Sequence, residues 1–417
     1  MKILMLGWEF PPFFAGGVGI ACYELTKALL EQYQDIEIDY VIPYWPKDSE
    51  ERGKLHILNA DSKKIEPRFH LKKIESTLYA YDSPESYAAR VRDVLKKEGQ
   101  DGSPKNIKQI YGENIFEEIY GYAEKVLNLC AKEHYDLIHA HDWTTFPAAL
   151  MLKKMTGIPV VSHVHITELN KTGGMGGDSR VFEIENQGFA GSDIAIAVSH
   201  FMKEMLIHHY GVDPAKIRVV HNGGVTDLNV SLEKNRPFVG GEKVVLFAGR
   251  MTLQKGPEYF VRAAKKVLEY EQNVKFVIAG GGDKLASTIE LAAQLGISKN
   301  VLFFGAFSRA EADRLNEMAD VFVMPSVSEP FGIVPLDAIA KGTPTVISKQ
   351  SGISEVLMHT FKVDFWDVDE IAHKILSLLR YEPLHTHMRE QAMKDFERIS
   401  WSKAARETVS VYHELAH

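Results

Sequence analysis

Short apolar runs and amphipathic stretches alternate along almost the whole chain. Residues 2–8 form a continuous apolar run that predicts a buried strand. After a loop at 9–17, the segment 18–32 has helical spacing, with Ile20, Leu25, Leu29 and Leu30 apolar. The same reading predicts strands at 36–44, 137–141, 159–165, 194–199 and 217–221, with helices at 113–132, 144–155, 182–190 and 201–210. A strand that is apolar at successive positions is covered on both faces. Repeated strand–helix units of this kind build a parallel sheet with helices on both sides.

The alternation pauses at 222–241, which is polar, rich in Gly and Asn, and without period, so it reads as a linker. It resumes with strands at 243–249, 275–280, 301–305, 321–325 and 344–348, helices lying between them. The expected fold class is therefore α/β, with two Rossmann-like doubly wound parallel-sheet domains facing a central cleft, the first over 1–222 and the second over 223–399. Open parallel sheets bind ligands outside the carboxyl ends of their strands, so the crevice between the two is the expected site. One segment breaks the pattern. Residues 45–110 are long, mixed in charge and dense in Lys and Glu, and read as either an inserted subdomain or a flap.

Composition narrows the function classes. The chain has 417 residues, and 48 Lys+Arg against 56 Asp+Glu leave a net charge of −8, against a dedicated nucleic-acid binder, which needs a basic face. The two cysteines, Cys22 and Cys130, sit in apolar helical patterns and read as buried free thiols. No uncharged apolar run approaches the ~20 residues that span a bilayer. The apolar start is followed by Glu9, Pro11 and Pro12, a poor signal peptide, so the expectation is a cytoplasmic protein with no integral membrane segment.

Three motifs carry candidate chemistry. Gly16-Gly17-Val18-Gly19 opens the first helix, where backbone can approach a ligand closely and a helix N-terminus favours an anion, although a plain strand-to-helix turn has the same look. It is not a dinucleotide fingerprint, because the third glycine would fall on Cys22. Gly249-Arg250 ends a strand and Lys255-Gly256 follows five residues later, placing two cations at the carboxyl edge of the second sheet. Fixed cations there can stabilise the charge that develops on a departing diphosphate. Finally, Glu329 falls just after a strand, Phe331, Gly332 and Ile333 are read as opening a helix, and Asp337 lies within it. Two carboxylates flanking a helix N-terminus suit hydroxyls of a sugar and of a ribose, with phosphates held between.

With Phe10-Pro11-Pro12, the run His139-Ala140-His141-Asp142-Trp143, Gly280-Gly281-Gly282 and Ser348–Gly352, these motifs resemble the retaining GT-B glycosyltransferases of the family 4 type, and within them bacterial glycogen-synthase-like members. The resemblance runs essentially end to end. It implies a nucleotide-sugar donor, UDP- or ADP-glucose, and an oligo- or polysaccharide acceptor, with no cofactor and no metal. By position, Gly17 matches the glycine against the donor phosphate, Arg250 and Lys255 the diphosphate-binding pair, and Glu329 the carboxylate that holds the sugar hydroxyls. Phe331, Gly332 and Ile333 match backbone donors, His165 the histidine beside the anomeric carbon, and Asp142 the acceptor-side aspartate. Base contacts are expected near Ala306 and Phe307. Position 337 carries Asp337 where the pattern has glutamate, one methylene shorter, which calls for a shifted helix or a bridging water if it is to reach the ribose. The family also implies that the terminal helix, 400–417, returns to the first domain, the chain crossing near 395–401.

No carboxylate in these motifs is an evident nucleophile, and the resemblance implies that the nucleoside diphosphate leaves and the acceptor attacks on the same face. Rival readings are another donor or a non-glucan acceptor, a sugar-nucleotide epimerase, and an inactive glycan-binding protein. The histidine pairs 139/141 and 163/165 could in principle hold zinc, but no third ligand is placed by the sequence. The cluster Asp364, Asp367 and Asp369 reads as solvated surface near a helix cap. Trp8, Phe10, Phe13, Phe14 and Trp143 are open to either core packing or stacking on a glucan.

Overall fold

The computed structural model describes residues 1–10, 17–44, 68–75, 114–174, 176–224 and 241–415. Phe13, Phe14, Gly16 and most of the 222–241 linker lie outside the described residues. In the first domain the order is β1 (Lys2–Leu6), α1 (Gly17–Gln32), β2 (Glu37–Tyr44), β3 (Phe69–Glu75), α2 (Ile115–Cys130), β4 (Leu137–His141), α3 (Phe146–Thr156), β5 (Val160–Val164), α4 (Glu168–Lys171), α5 (Ser179–Gly191), β6 (Ile194–Ala197), α6 (His200–Tyr210) and β7 (Ile217–Val219). The second has β8 (Lys243–Ala248), α7 (Pro257–Leu268), β9 (Val274–Ala279), α8 (Leu285–Gln294), β10 (Val301–Gly305), α9 (Arg309–Met318), β11 (Val321–Met324), α10 (Val334–Ala340), β12 (Thr345–Ser348), β13 (Phe361–Val363), α11 (Val368–Arg380) and α12 (Glu382–Phe396), and the chain closes with α13 (Trp401–Leu415).

Both sheets are parallel throughout their described pairings. The first runs β3-β2-β1-β4-β5-β6-β7 and the second β10-β9-β8-β11-β12-β13. In each, the order reverses beside the first strand, between β1 and β4 and between β8 and β11, and there the loops diverge to leave a crevice. Each sheet is buried on both faces. Along β1, Leu4 and Leu6 enter one core and Ile3 and Met5 the other. Along β8, Val245 and Phe247 face one side, Val244 and Leu246 the opposite one. This alternation into two cores is why the strands read as unbroken apolar runs.

Two strands differ from the sequence expectation. Part of the 45–110 segment is β3, an edge strand of the first sheet; the flanking residues 45–67 and 76–113 lie outside the described residues. Its lysines and histidine suit an edge position and mask the apolar signal. The short edge strand β13, three residues with a lysine at its centre, likewise carries no apolar run to mark it. In addition, α10 opens at Val334, so Phe331, Gly332 and Ile333 form the turn before the helix rather than its first turn.

The C-terminal helix belongs to the first domain's core. Trp401, Ala404, Ala405, Val409 and Tyr412 share one cluster with Leu25, Ala28 and Leu29 of α1, whereas Ala392 and Phe396 of α12 pack in the second domain. The chain crosses between domains beside Gly223 and Gly224. The Gly224 N–H donates to the Ile399 carbonyl at 3.2 Å. A Cβ on Gly223 would lie 2.3 Å from the Trp401 nitrogen, so no side chain fits where the two crossing strands of chain touch.

Candidate active site

Loops from the carboxyl ends of both sheets enclose a cleft of about 700 Å³. From the first domain Gly17, Ile20, Tyr23 and Glu24 of α1 form one wall. From the second come Arg250, Gly280, Gly281, Ala306, Phe307, Arg309, Ile333 and Asp337. Of the residues singled out by sequence, the cleft brings together Gly17, Arg250, Ala306, Phe307, Ile333 and Asp337. Lys255, Glu329, Phe331, Gly332, His165 and Asp142 do not line it.

Lys255 and Glu329 lie just beyond. Lys255 closes the short turn after β8, Glu329 follows β11, and their side chains form an ion pair. Ser326 Oγ also donates to Glu329, at 3.3 Å. Gly332 has φ +95°, and a Cβ there would come within 2.9 Å of Glu329 Cγ, so glycine is required to turn the chain behind that carboxylate. The Phe331 ring is buried in the second domain's core, so only its backbone is available to a ligand.

Asp337 meets a partner that the sequence reading missed. Arg309, at the start of α9, donates to both its oxygens, at 3.0 and 2.9 Å. The fork-to-carboxylate match holds Asp337 in place in the cleft wall. Burial acts to lower the pKa of Arg309, but Asp337, Asp313 and Glu24 outweigh it and raise the pKa overall. The only sequence signal was the capping box Ser308–Glu311, which fixes where α9 starts and hence where Arg309 points.

On the first domain, Asp142 and His165 follow β4 and β5. Asp142 is the one non-glycine described residue with positive φ, +58°. This lets its carboxylate turn back and accept from the backbone N–H groups of His165 at 2.8 Å and Ile166 at 3.3 Å. Burial nevertheless pushes its pKa up to about 7. Asp142 Oδ2 and His165 Nδ1 are buried with no partner among the described residues, as expected of groups prepared for a ligand. Glu9 Oε2 accepts from the Gly19 N–H at 2.9 Å, placing a carboxylate at the N-terminus of α1; sequence reasoning did not single it out.

Behind these residues four buried imidazoles form two hydrogen-bonded pairs. His141 Nδ1 lies 3.0 Å from His165 Nε2, and His139 Nε2 lies 3.0 Å from His163 Nδ1. The pairs stack, with ring centroids 4.4 and 4.3 Å apart, and His139 Nδ1 meets the Tyr412 hydroxyl of α13 at 2.6 Å. Burial lowers His139 and His165 to about 3 and keeps His141 and His163 well below the ordinary value, so all four are neutral. The sets Cys22/His141/His165 and His139/His141/His163 bring ligand atoms within 4.8 Å of one another. Neutral rings that alternately donate and accept account for the same spacing. Both cysteines are free and buried.

Residues 15–228 match the family described as Glycosyltransferase Family 4, and residues 231–395 the one described as Glycosyl transferases group 1. An uncharacterised glycosyltransferase of Methanocaldococcus jannaschii is 31% identical, the match covering 99% of this chain and 98% of that protein. Glycogen synthase of Mycobacterium tuberculosis is 27% identical over 99% of this chain and 94% of its own. Among solved structures, sucrose-phosphate synthase from Thermosynechococcus elongatus superposes with a TM-score of 0.73 at 20% identity, covering 99% of this chain and 98% of that one.

Proposed function

The chain belongs to the GT-B glycosyltransferases of the family 4 type, and from that membership we propose that it transfers glucose, with retention, from UDP- or ADP-glucose to an α-glucan without a metal. The observation that carries this reading is the cleft itself, in which α1 of one domain faces Arg250 and the Asp337–Arg309 pair of the other, with the Lys255–Glu329 ion pair beyond its lining. The nucleotide would lie along Ala306, Phe307 and Asp337, and the diphosphate between Gly17, Arg250 and Lys255. Entry of the diphosphate draws Lys255 away from Glu329 and frees that carboxylate to accept from the sugar hydroxyls. As the glycosidic bond breaks, negative charge grows on the leaving phosphate, and the fixed cations lower the barrier there without reorganising. The acceptor hydroxyl attacks on the same face and passes its proton to that phosphate. Neutral His165 bonds a sugar hydroxyl, because a charged imidazolium would repel the developing cationic sugar.

The experiment is a donor screen by nucleoside diphosphate release, with and without glycogen or maltooligosaccharide, followed by anomer assignment of the product by NMR. Acceptor-dependent release with an α-linked product is expected. Interconversion of the nucleotide sugar without acceptor would instead identify an epimerase, and transfer only to non-glucan acceptors would replace the acceptor assigned here.

A further inference from the structure

The loops at the carboxyl edge of the second sheet leave their strands in spatial order. Ala306 follows β10, Gly280 β9, Arg250 β8, Glu329 β11, Gln350 β12 and Trp366 β13. A donor bound as proposed runs along this edge from base to sugar, and Trp366 stands at the end beyond the sugar. It is 58% exposed. Its ring meets Phe365 edge to face at 4.8 Å, and Phe365 meets Tyr259 in the same manner at 5.1 Å.

The turn that holds Trp366 is tethered on every side. The Asp367 N–H donates to the Asp364 carbonyl at 3.0 Å. The Asp364 carboxylate accepts from Lys349 Nζ at 2.8 Å and Gln350 Nε2 at 2.9 Å, and these contacts hold its pKa below the usual range. Asp367 caps α11 through the Glu370 N–H at 2.9 Å. The turn is also continuous with the site, because the Gln350 carbonyl accepts the Glu329 N–H at 2.9 Å. The Asp364 and Asp367 of the acidic cluster are thus the anchors of an exposed aromatic. A large ring held out in water contributes little to the core, and the tethered turn that carries it has already lost backbone freedom that binding would otherwise cost.

We propose that Trp366, rimmed by Lys349 and Asp364, is a second carbohydrate site that stacks a pyranose ring of the acceptor glucan as the chain leaves the cleft. This rests on the reading that the acceptor is an α-glucan. The C–H face of a pyranose is weakly electropositive and fits the negative face of an indole. The hydroxyls at the ring's edge reach the Lys349–Asp364 pair, whose charges cancel, which suits a neutral ligand. A polymer held at Trp366 raises the effective concentration of its end at the cleft, so the site acts on long acceptors more than on short ones.

The test compares Trp366→Ala, Trp366→Phe and the unaltered full chain by retardation in native gels containing glycogen, and by kinetics with glycogen and maltotriose. Trp366→Ala is expected to weaken retardation about tenfold and to raise KM for glycogen by a similar factor, with kcat and the maltotriose KM held. Trp366→Phe, which keeps a ring, falls between. Unaltered retardation by Trp366→Ala in a protein that still transfers to glycogen overturns the site and leaves the proposed reaction standing. Trp366-dependent retardation without nucleoside diphosphate release from either donor does the reverse. If the unaltered chain transfers to glycogen but is not retarded by it, or if it neither binds nor extends α-glucan, the site is overturned as well.

Discussion

At the scale of single residues, the cleft depends on a few fixed charges and one block of neutral rings. Arg250→Ala removes a cation from the proposed diphosphate end of the cleft, so turnover should fall by a factor on the order of 10² to 10³, with an unchanged circular dichroism spectrum; an active, folded variant would sink the assignment. Tyr412→Phe takes the hydroxyl from His139 Nδ1 and leaves a buried ring nitrogen unbonded. A loss of about 1–3 kcal/mol in denaturant unfolding is expected. The histidines also set a pH dependence. In the unfolded chain they protonate near their ordinary value of about 6.5, whereas His139 and His165 resist protonation until about 3 and His141 and His163 also stay neutral well below the ordinary value. The folded state therefore binds fewer protons, and stability falls as pH drops below about 6.5. Asp142 acts oppositely, since it keeps its proton in the folded state up to about 7. With four groups against one, unfolding near pH 5 should take up roughly three protons net from this block. Urea midpoints between pH 5 and 7.5 measure this, and a flat profile would contradict neutral buried imidazoles. The positions of Arg250, Lys255 and Glu329 just after strands were visible in the sequence, because apolar runs mark where strands end. Arg309 was not, since its role exists only where β10 and α10 bring it to Asp337.

At the scale of elements, strands buried on both faces were legible, and so were the edge strands β7 and β10, but the edge strands β3 and β13 were not. An unbroken apolar run such as that in β1 has one structural meaning, whereas β3, with Lys72, Lys73 and His70 in seven residues, has the composition of a loop. The helix α13 shows the other limit. Its apolar stripe is readable, but its partner α1 lies almost four hundred residues earlier in the chain. Ala405 is fully buried in that contact. Ala405→Asp places a charge in it and should cost more than about 3 kcal/mol, releasing the helix. Limited proteolysis should then cleave near residues 397–400 while the second domain stays intact. Retention of α13 under the same digestion would show that the contact tolerates the charge.

At the scale of the whole molecule, function depends on how the two domains meet. Glu355 of the second domain accepts from the N–H groups of His200 and Phe201 at the start of α6, at 2.8 and 2.6 Å, and meets His221 Nε2 at 2.8 Å. Ser199 Oγ donates to the Pro330 carbonyl at 2.5 Å, and Asn170 Nδ2 to Ser328 Oγ at 2.9 Å. The last two contacts lie on either side of Glu329 in the chain and reach it from the first domain, so domain orientation bears on the proposed donor site. Glu355→Ala removes a whole carboxylate from this seam, and X-ray scattering of the unliganded protein should show a larger radius of gyration. An unchanged profile would place the restraint in the chain crossing at Gly223 instead. What the sequence determined by itself was local: the apolar periods dictate strand and helix, and they place Gly, Arg, Lys and carboxylates at strand ends. What only the tertiary structure decided was every pairing across distance, namely Asp337 with Arg309, His139 with Tyr412 and α13 with α1. Periodicity reports which face of an element seeks a partner, but the identity of that partner depends on sheet order and domain packing, which no local pattern encodes.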